Sequence, residues 1–174
     1  DVAAAKTITA AESFALVRRS NGVIPSWGYN GDGQRGDGSA AAASDTPGTA
    51  TLPAGLTATS IAAGGNHALA LLSNGAVYAW GDNSYGQLGQ GIASPQLVRA
   101  TTPMRVTLPR GALAVAASNV ASYALLDDGT VFSWGTAWGL GLLGDGTRDG
   151  VRLTPGPVLG AGGPLTGVVQ IAAR

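Results

Sequence analysis

Cysteine is absent from the 174 residues, which excludes disulfides and thiolate metal sites and leaves the cellular compartment open. Charge is scarce too, at 11% of residues, with one lysine (Lys6) and one glutamate (Glu12). Ten basic residues balance ten acidic ones, so there is no electrostatic footprint for a nucleic acid or an anionic membrane. No apolar run reaches the length of a membrane span, because the longest, residues 111–117, stops at Ser118-Asn119. A soluble chain is expected. Its glycines never read Gly-Lys-Ser/Thr or the dinucleotide pattern, so no phosphate cradle and no cofactor is expected.

What is present is glycine, proline and short apolar runs: 28 Gly, 9 Pro and 45% hydrophobic residues, a composition that argues for a globular chain. The Gly and Pro positions recur. Ser-Asn-Gly-Val-Ile-Pro-Ser-Trp-Gly ending at Gly28, Ser-Asn-Gly-Ala-Val-Tyr-Ala-Trp-Gly ending at Gly81 and Asp-Asp-Gly-Thr-Val-Phe-Ser-Trp-Gly ending at Gly135 are copies of one another. Their tryptophans Trp27, Trp80 and Trp134 stand 53 and 54 residues apart. A period of that length marks a unit that buries its apolar face only against its neighbours. Ile8, Ile61, Val115 and Ile171 fall in register and give repeats 8–60, 61–114 and 115–170, with 1–7 and 171–174 as parts of adjoining units. Residues 164–174 repeat the phase of the first residues, so the sequence reads as a stretch of a longer array.

In the second copy, residues 60–63, 67–72 and 76–80 predict three strands. Gly22, Gly75 and Gly129 each follow Asn or Asp between the second and third strands, which predicts type I′ hairpins. Pro47 with Pro53, Pro103 with Pro109, and Pro155 with Pro164 predict linkers that end pairing and cross to the next unit. The architecture is therefore expected to be all-β.

From Ile61 to Gly91 the second copy contains Gly-Gly-Asn-His, Asn-Gly, Trp-Gly-Asp-Asn and Tyr-Gly-Gln-Leu-Gly. It resembles the regulator of chromosome condensation repeat, which implies a β-propeller of four-stranded blades, usually seven. The other copies depart from the pattern: Phe14 and Ala121 hold the His position, Pro25 interrupts the third strand, and Gly-Leu-Leu-Gly replaces Gly-Gln-Leu-Gly. Three repeats do not close such a ring, so adjoining blades or further copies of the chain are expected at its open edges.

The resemblance gives His67, the sole histidine, a structural hydrogen-bonding role, and no enzyme is expected. Asp32, Asp37 and Asp145 lie in Gly-Asp-Gly loops without calcium-loop spacing, so no metal is expected. Trp27, Trp80 and Trp134 are expected to pack within or between blades. Members of the family recognise proteins, one of them a secreted inhibitor whose contacts come from just before the His position and just after Trp-Gly. By repeat phase this implies Ser13, Asn66 and Val120 in the first set. It implies Tyr29, Asn30, Asp82, Asn83, Tyr85 and Trp138 in the second. The chain thus reads as a non-catalytic protein-interaction module of a secreted or surface bacterial protein, with no nucleic-acid partner and no membrane insertion. The alternative is a structural subunit that self-assembles through open blade edges into a ring or filament. The low-lysine composition, rich in Ala, Gly and Thr, points outside the cell.

Overall fold

A computed structural model describes residues 4–39 and 43–173. Three four-stranded antiparallel sheets follow one another along the chain, and no helix occurs among the described residues. The first sheet comprises β1 (Ala5–Ala10), β2 (Phe14–Arg19), β3 (Pro25–Tyr29) and β4 (Ala43–Thr49). The second comprises β5 (Ala58–Ala63), β6 (His67–Leu72), β7 (Val77–Asp82) and β8 (Arg99–Arg105). The third comprises β9 (Ala112–Ala117), β10 (Ala121–Leu126), β11 (Val131–Thr136) and β12 (Val151–Pro157). A ribbon of β13 (Leu159–Gly160) and β14 (Gly163–Pro164) follows. Each sheet is a propeller blade.

The hairpin between second and third strands is real, but its turn is not type I′. In the second blade Gly75 N–H donates to Leu72 O at 2.9 Å and Leu72 N–H to Ala76 O at 2.9 Å, so the loop is Ser73-Asn74-Gly75. Only Gly75 has a positive φ, 79°, while Asn74 does not. This is a type I turn followed by a left-handed glycine, the three-residue hairpin. Asn74 instead uses Oδ1 to accept from Ala76 N at 3.1 Å. Gly22 and Gly129, at φ 75° and 78°, complete the same turn in the other blades.

Pro53 and Pro109 lie in the connections between blades as expected, but the first proline of each segment does not. Pro47, Pro103 and Pro155 lie inside the outer strands β4, β8 and β12, beside register shifts in the pairing with β3, β7 and β11. An outer strand tolerates a missing N–H on its unpaired side, so proline there does not end the sheet. Pro25, expected to interrupt a strand, begins β3 and pairs with Thr49.

Side chains alternate across the central strands. In β6, His67, Leu69 and Leu71 face the third blade, and Ala68, Ala70 and Leu72 face the first; all six are buried. Trp80 pairs with Ala68 in register and sends Nε1 to Gln34 O of the first blade at 2.7 Å. Trp134 repeats this with Gln87 O at 2.8 Å. Removing large side chains such as Leu69, Leu72 and Trp80 from water contributes about 1.5–3 kcal/mol each, so the seams between blades hold the array together. The outermost faces lack this cover. Ile8 is 64% exposed, whereas its equivalents Ile61 and Val115 are 7% and 8% exposed.

Candidate interaction face

The up-and-down order of each blade puts the turn between its first and second strands and the loop between its third and fourth at one end. We call this end of the array the upper face. It gathers the turns at residues 11–13, 64–66 and 118–120 with the loops that follow β3, β7 and β11. The turns surround a depression near the inner strands, lined by Glu12, Gly64, Gly65, Ser118, Asn119 and Ala173. Gly65 N–H donates to Asn119 O at 3.1 Å, tying two turns across a blade seam.

Each long loop turns inward immediately after Trp-Gly, at a glycine the geometry requires. Gly81 has φ 99°, and a Cβ there would sit 2.4 Å from Asn66 O and 2.7 Å from His67 Cα. The next-but-one residue then holds the loop. Asn83 is fully buried; Nδ2 donates to Ile92 O at 2.7 Å and Leu97 O at 3.0 Å, and Oδ1 accepts from Leu88 N at 3.0 Å. Asn30 does the same with Ser39 O at 3.1 Å, Ser39 Oγ at 3.0 Å and Arg35 N at 2.9 Å. These two asparagines, expected to meet a partner, are therefore internal staples with no surface to offer. Val120, at 7% exposure, is also buried.

Asp82 is half-buried and equally committed. Oδ1 accepts from Ser84 N at 3.0 Å and Ser84 Oγ at 2.5 Å, and Oδ2 accepts from Gln87 Nε2 at 2.7 Å. Gln87 Oε1 in turn accepts from Tyr85 N at 2.9 Å. The lock was legible in principle, since Asn and Gln recur at fixed offsets after Trp-Gly in the first two copies. Recurrence at a fixed phase marks a shared fold as readily as a shared contact.

The remaining predicted positions are exposed on the upper face: Tyr29 by 42%, Tyr85 by 46%, Trp138 by 57%, together with Asn66 and Ser13. The loop that carries Trp138 is one residue longer than its counterpart. Five positions separate Asn83 from buried Leu88, but six separate Ala137 from buried Leu143. Ala137 also replaces the stapling asparagine, and the loop passes through Trp138 at φ 47°, a costly conformation for a bulky side chain. Between the first and second blades, Arg99 Nη1 donates to Gly31 O at 2.8 Å. Burial, then the charge of Asp82, raises the pKa of the adjacent Asp32 above the usual carboxylate value, and Arg99 opposes this.

His67 lies beneath this face, sealed in the seam. Ser122 Oγ donates to Gln87 O at 2.8 Å, so His67 Nε2, 2.8 Å from Ser122 Oγ, carries the proton and donates to that hydroxyl. Nδ1 has no partner, and burial lowers the imidazole pKa to about 4. Where the first blade has Phe14 at the His position, the second blade has Ala68 at the Ser position, so the two sites change polarity together. Among the described residues no group of three or more His, Cys, Asp or Glu is placed to hold a metal ion.

The profile of the regulator of chromosome condensation (RCC1) repeat matches residues 58–87, and a second profile of that repeat matches 74–125. The chain belongs to this repeat family. It is 33% identical over 142 residues to the human E3 ubiquitin-protein ligase HERC2, covering 79% of this chain and 3% of the ligase. It is 36% identical over 102 residues to the Drosophila melanogaster regulator of chromosome condensation, covering 56% of this chain and 18% of that protein. The chain thus spans a small part of the relatives it matches. The crystal structure of Prp20p from Saccharomyces cerevisiae, whose binding to Gsp1p and histones is described with it, superposes with TM-score 0.79. That match has 24% identity and covers 90% of this chain and 39% of Prp20p. Human WBSCR16 superposes with TM-score 0.78 at 22% identity, covering 89% of this chain and 38% of that one. These similarities establish the fold of the repeat family's propeller blades.

Proposed function

We propose that the chain is a non-catalytic protein-recognition segment of a larger propeller and that its upper face is the recognition surface. One observation carries this reading: three large aromatics, Tyr29, Tyr85 and Trp138, stand exposed on that face, one from each blade. Tyrosine and tryptophan supply much contact area for little lost side-chain freedom, and they dominate interface energetics. The support is strengthened by Trp138, whose left-handed backbone is retained without any gain in burial. Prp20p, of the same fold, binds proteins. The sole imidazole is committed to Ser122 inside a seam, which favours binding over catalysis. A zero net charge favours a protein partner over a nucleic acid, and the low-lysine composition supports a place outside the cell or on its surface, in a bacterium.

Selection of randomised display peptides against the chain, mapped by hydrogen exchange, tests the proposal. Protection at residues 29–31, 84–86 and 136–140 is expected. Protection confined to the opposite turns, 73–76 and 106–111, overturns it.

A second reading, self-assembly through open blade edges, is favoured by the 64% exposure of Ile8 on the outer face of the first blade. Two substitutions weigh against docking copies in the geometry of the internal seams. Arg19 stands where Leu72 and Leu126 are buried, and Tyr123 Oη already donates to Leu142 O at 2.9 Å, the carbonyl equivalent to those that receive Trp80 and Trp134. Light scattering decides: a uniform oligomer supports this reading and a monomer removes it.

A further inference from the structure

We infer that the upper edge of the seam between the first and second blades seats an aspartate or glutamate side chain presented by a protein partner. This rests on the reading of the upper face as a recognition surface. In the second blade both ends of the buried Gln87 amide are satisfied, Oε1 by Tyr85 N at 2.9 Å and Nε2 by Asp82 Oδ2 at 2.7 Å. The first blade reproduces half of that arrangement. Gln34 is fully buried and its Oε1 accepts from Asp32 N at 3.0 Å, yet its Nε2 has no acceptor. The reason is in the sequence: Tyr29 occupies the position of Asp82, so the carboxylate that closes the lock is missing from this copy.

A buried N–H without an acceptor is rare in folded proteins and calls for an explanation. Two neighbours make the place fit an incoming anion. Tyr29 is 42% exposed, so its ring can turn aside without opening the core. Arg99 is exposed and anchored by one nitrogen to Gly31 O at 2.8 Å; it forms no salt bridge among the described residues. Gly31 and Gln34 belong to the same loop, and Gly33 between them lies against the backbone of Ala100 and Thr101, next to Arg99, so the proposed seat lies between the two donors. A partner's carboxylate there would accept from Gln34 Nε2 and from the unused N–H groups of Arg99. It would thus supply from outside what Asp82 supplies from within. Asp32 and Asp82 lie close by and repel a dense anion, which restricts the seat to a single carboxylate whose charge Arg99 offsets.

The test uses the whole chain and display-selected peptides carrying a fixed central aspartate, each paired with its asparagine counterpart. Affinity is read by fluorescence anisotropy and the Gln34 side-chain amide by NMR. A charge-assisted hydrogen bond predicts a loss of about tenfold or more on Asp→Asn, with the Gln34 amide shifting only for the aspartate form. Gln34→Glu exchanges the donor for an acceptor and Arg99→Gln removes the charge, and each is expected to erase the discrimination. If Gln34→Glu fails to fold, the exposed Arg99→Gln variant still decides. Tyr29→Asp builds the missing carboxylate into the chain, so it should erase the discrimination while raising the urea midpoint. Equal binding of both peptide forms on the upper face, with a stationary Gln34 amide, overturns the carboxylate seat and leaves the recognition surface standing. Peptides that bind only elsewhere overturn both.

Discussion

Replacing Asn83 with alanine separates a structural asparagine from a contact residue. The substitution removes three hydrogen bonds, to Ile92 O, Leu97 O and from Leu88 N. A net loss of about 1 kcal/mol for each, plus the cost of leaving the buried Leu88 N–H unpaired, predicts a destabilisation of roughly 3–4 kcal/mol. With a urea slope of about 2 kcal/mol/M, the unfolding midpoint should fall by roughly 1.5–2 M. The third blade supplies an internal control, because Ala137 already holds the equivalent position and is itself buried. Equilibrium unfolding in urea, followed by tryptophan fluorescence, measures the change, and Ala137→Gly gives a reference for loosening a loop without a staple. A midpoint shift below about 0.3 M, with peptide binding lost, would refute the reasoning and return Asn83 to the recognition surface.

Other consequences follow from the same geometry. The folded pKa of His67 is lowered from 6.5 to about 4, so its contribution is full above pH 6.5 and is lost as pH falls through 4. About 3 kcal/mol of stability should disappear over that window, read as the pH dependence of the urea midpoint, and His67→Gln should flatten it. Gly81→Ala places a Cβ 2.4 Å from Asn66 O at φ 99°, so thermal unfolding should show a loss of about 3 kcal/mol or more, or no folded protein at all. Joint replacement of Tyr85 and Trp138 by alanine should change stability by less than about 1 kcal/mol and abolish binding of upper-face peptides; unfolding instead would make them packing residues.

The sequence alone determined the repeat, the all-β class and the position of the hairpin between the second and third strands of each blade, because these depend on local chemistry. A left-handed glycine, a two-residue alternation and a tryptophan at constant phase leave their mark within a dozen residues. Repeat phase, read through the family resemblance, also grouped Tyr29, Tyr85 and Trp138 after Trp-Gly and Asn66 before the His position, two points that the up-and-down strand order brings to one end. Tertiary structure decided the rest. The outer strands Ala43–Thr49, Arg99–Arg105 and Val151–Pro157 contain proline and few apolar residues, and they become strands only because β3, β7 and β11 offer an edge to pair with. Asn30 and Asn83 look like solvent-facing loop residues and are buried because the loop closes around them. Ser122 carries no local signal, and the repeat phase of Gln34 does not reveal its missing acceptor. The partner of the first is in the preceding blade, and the want of the second is visible only beside Asp82, so both depend on how the blades stack and not on any segment by itself.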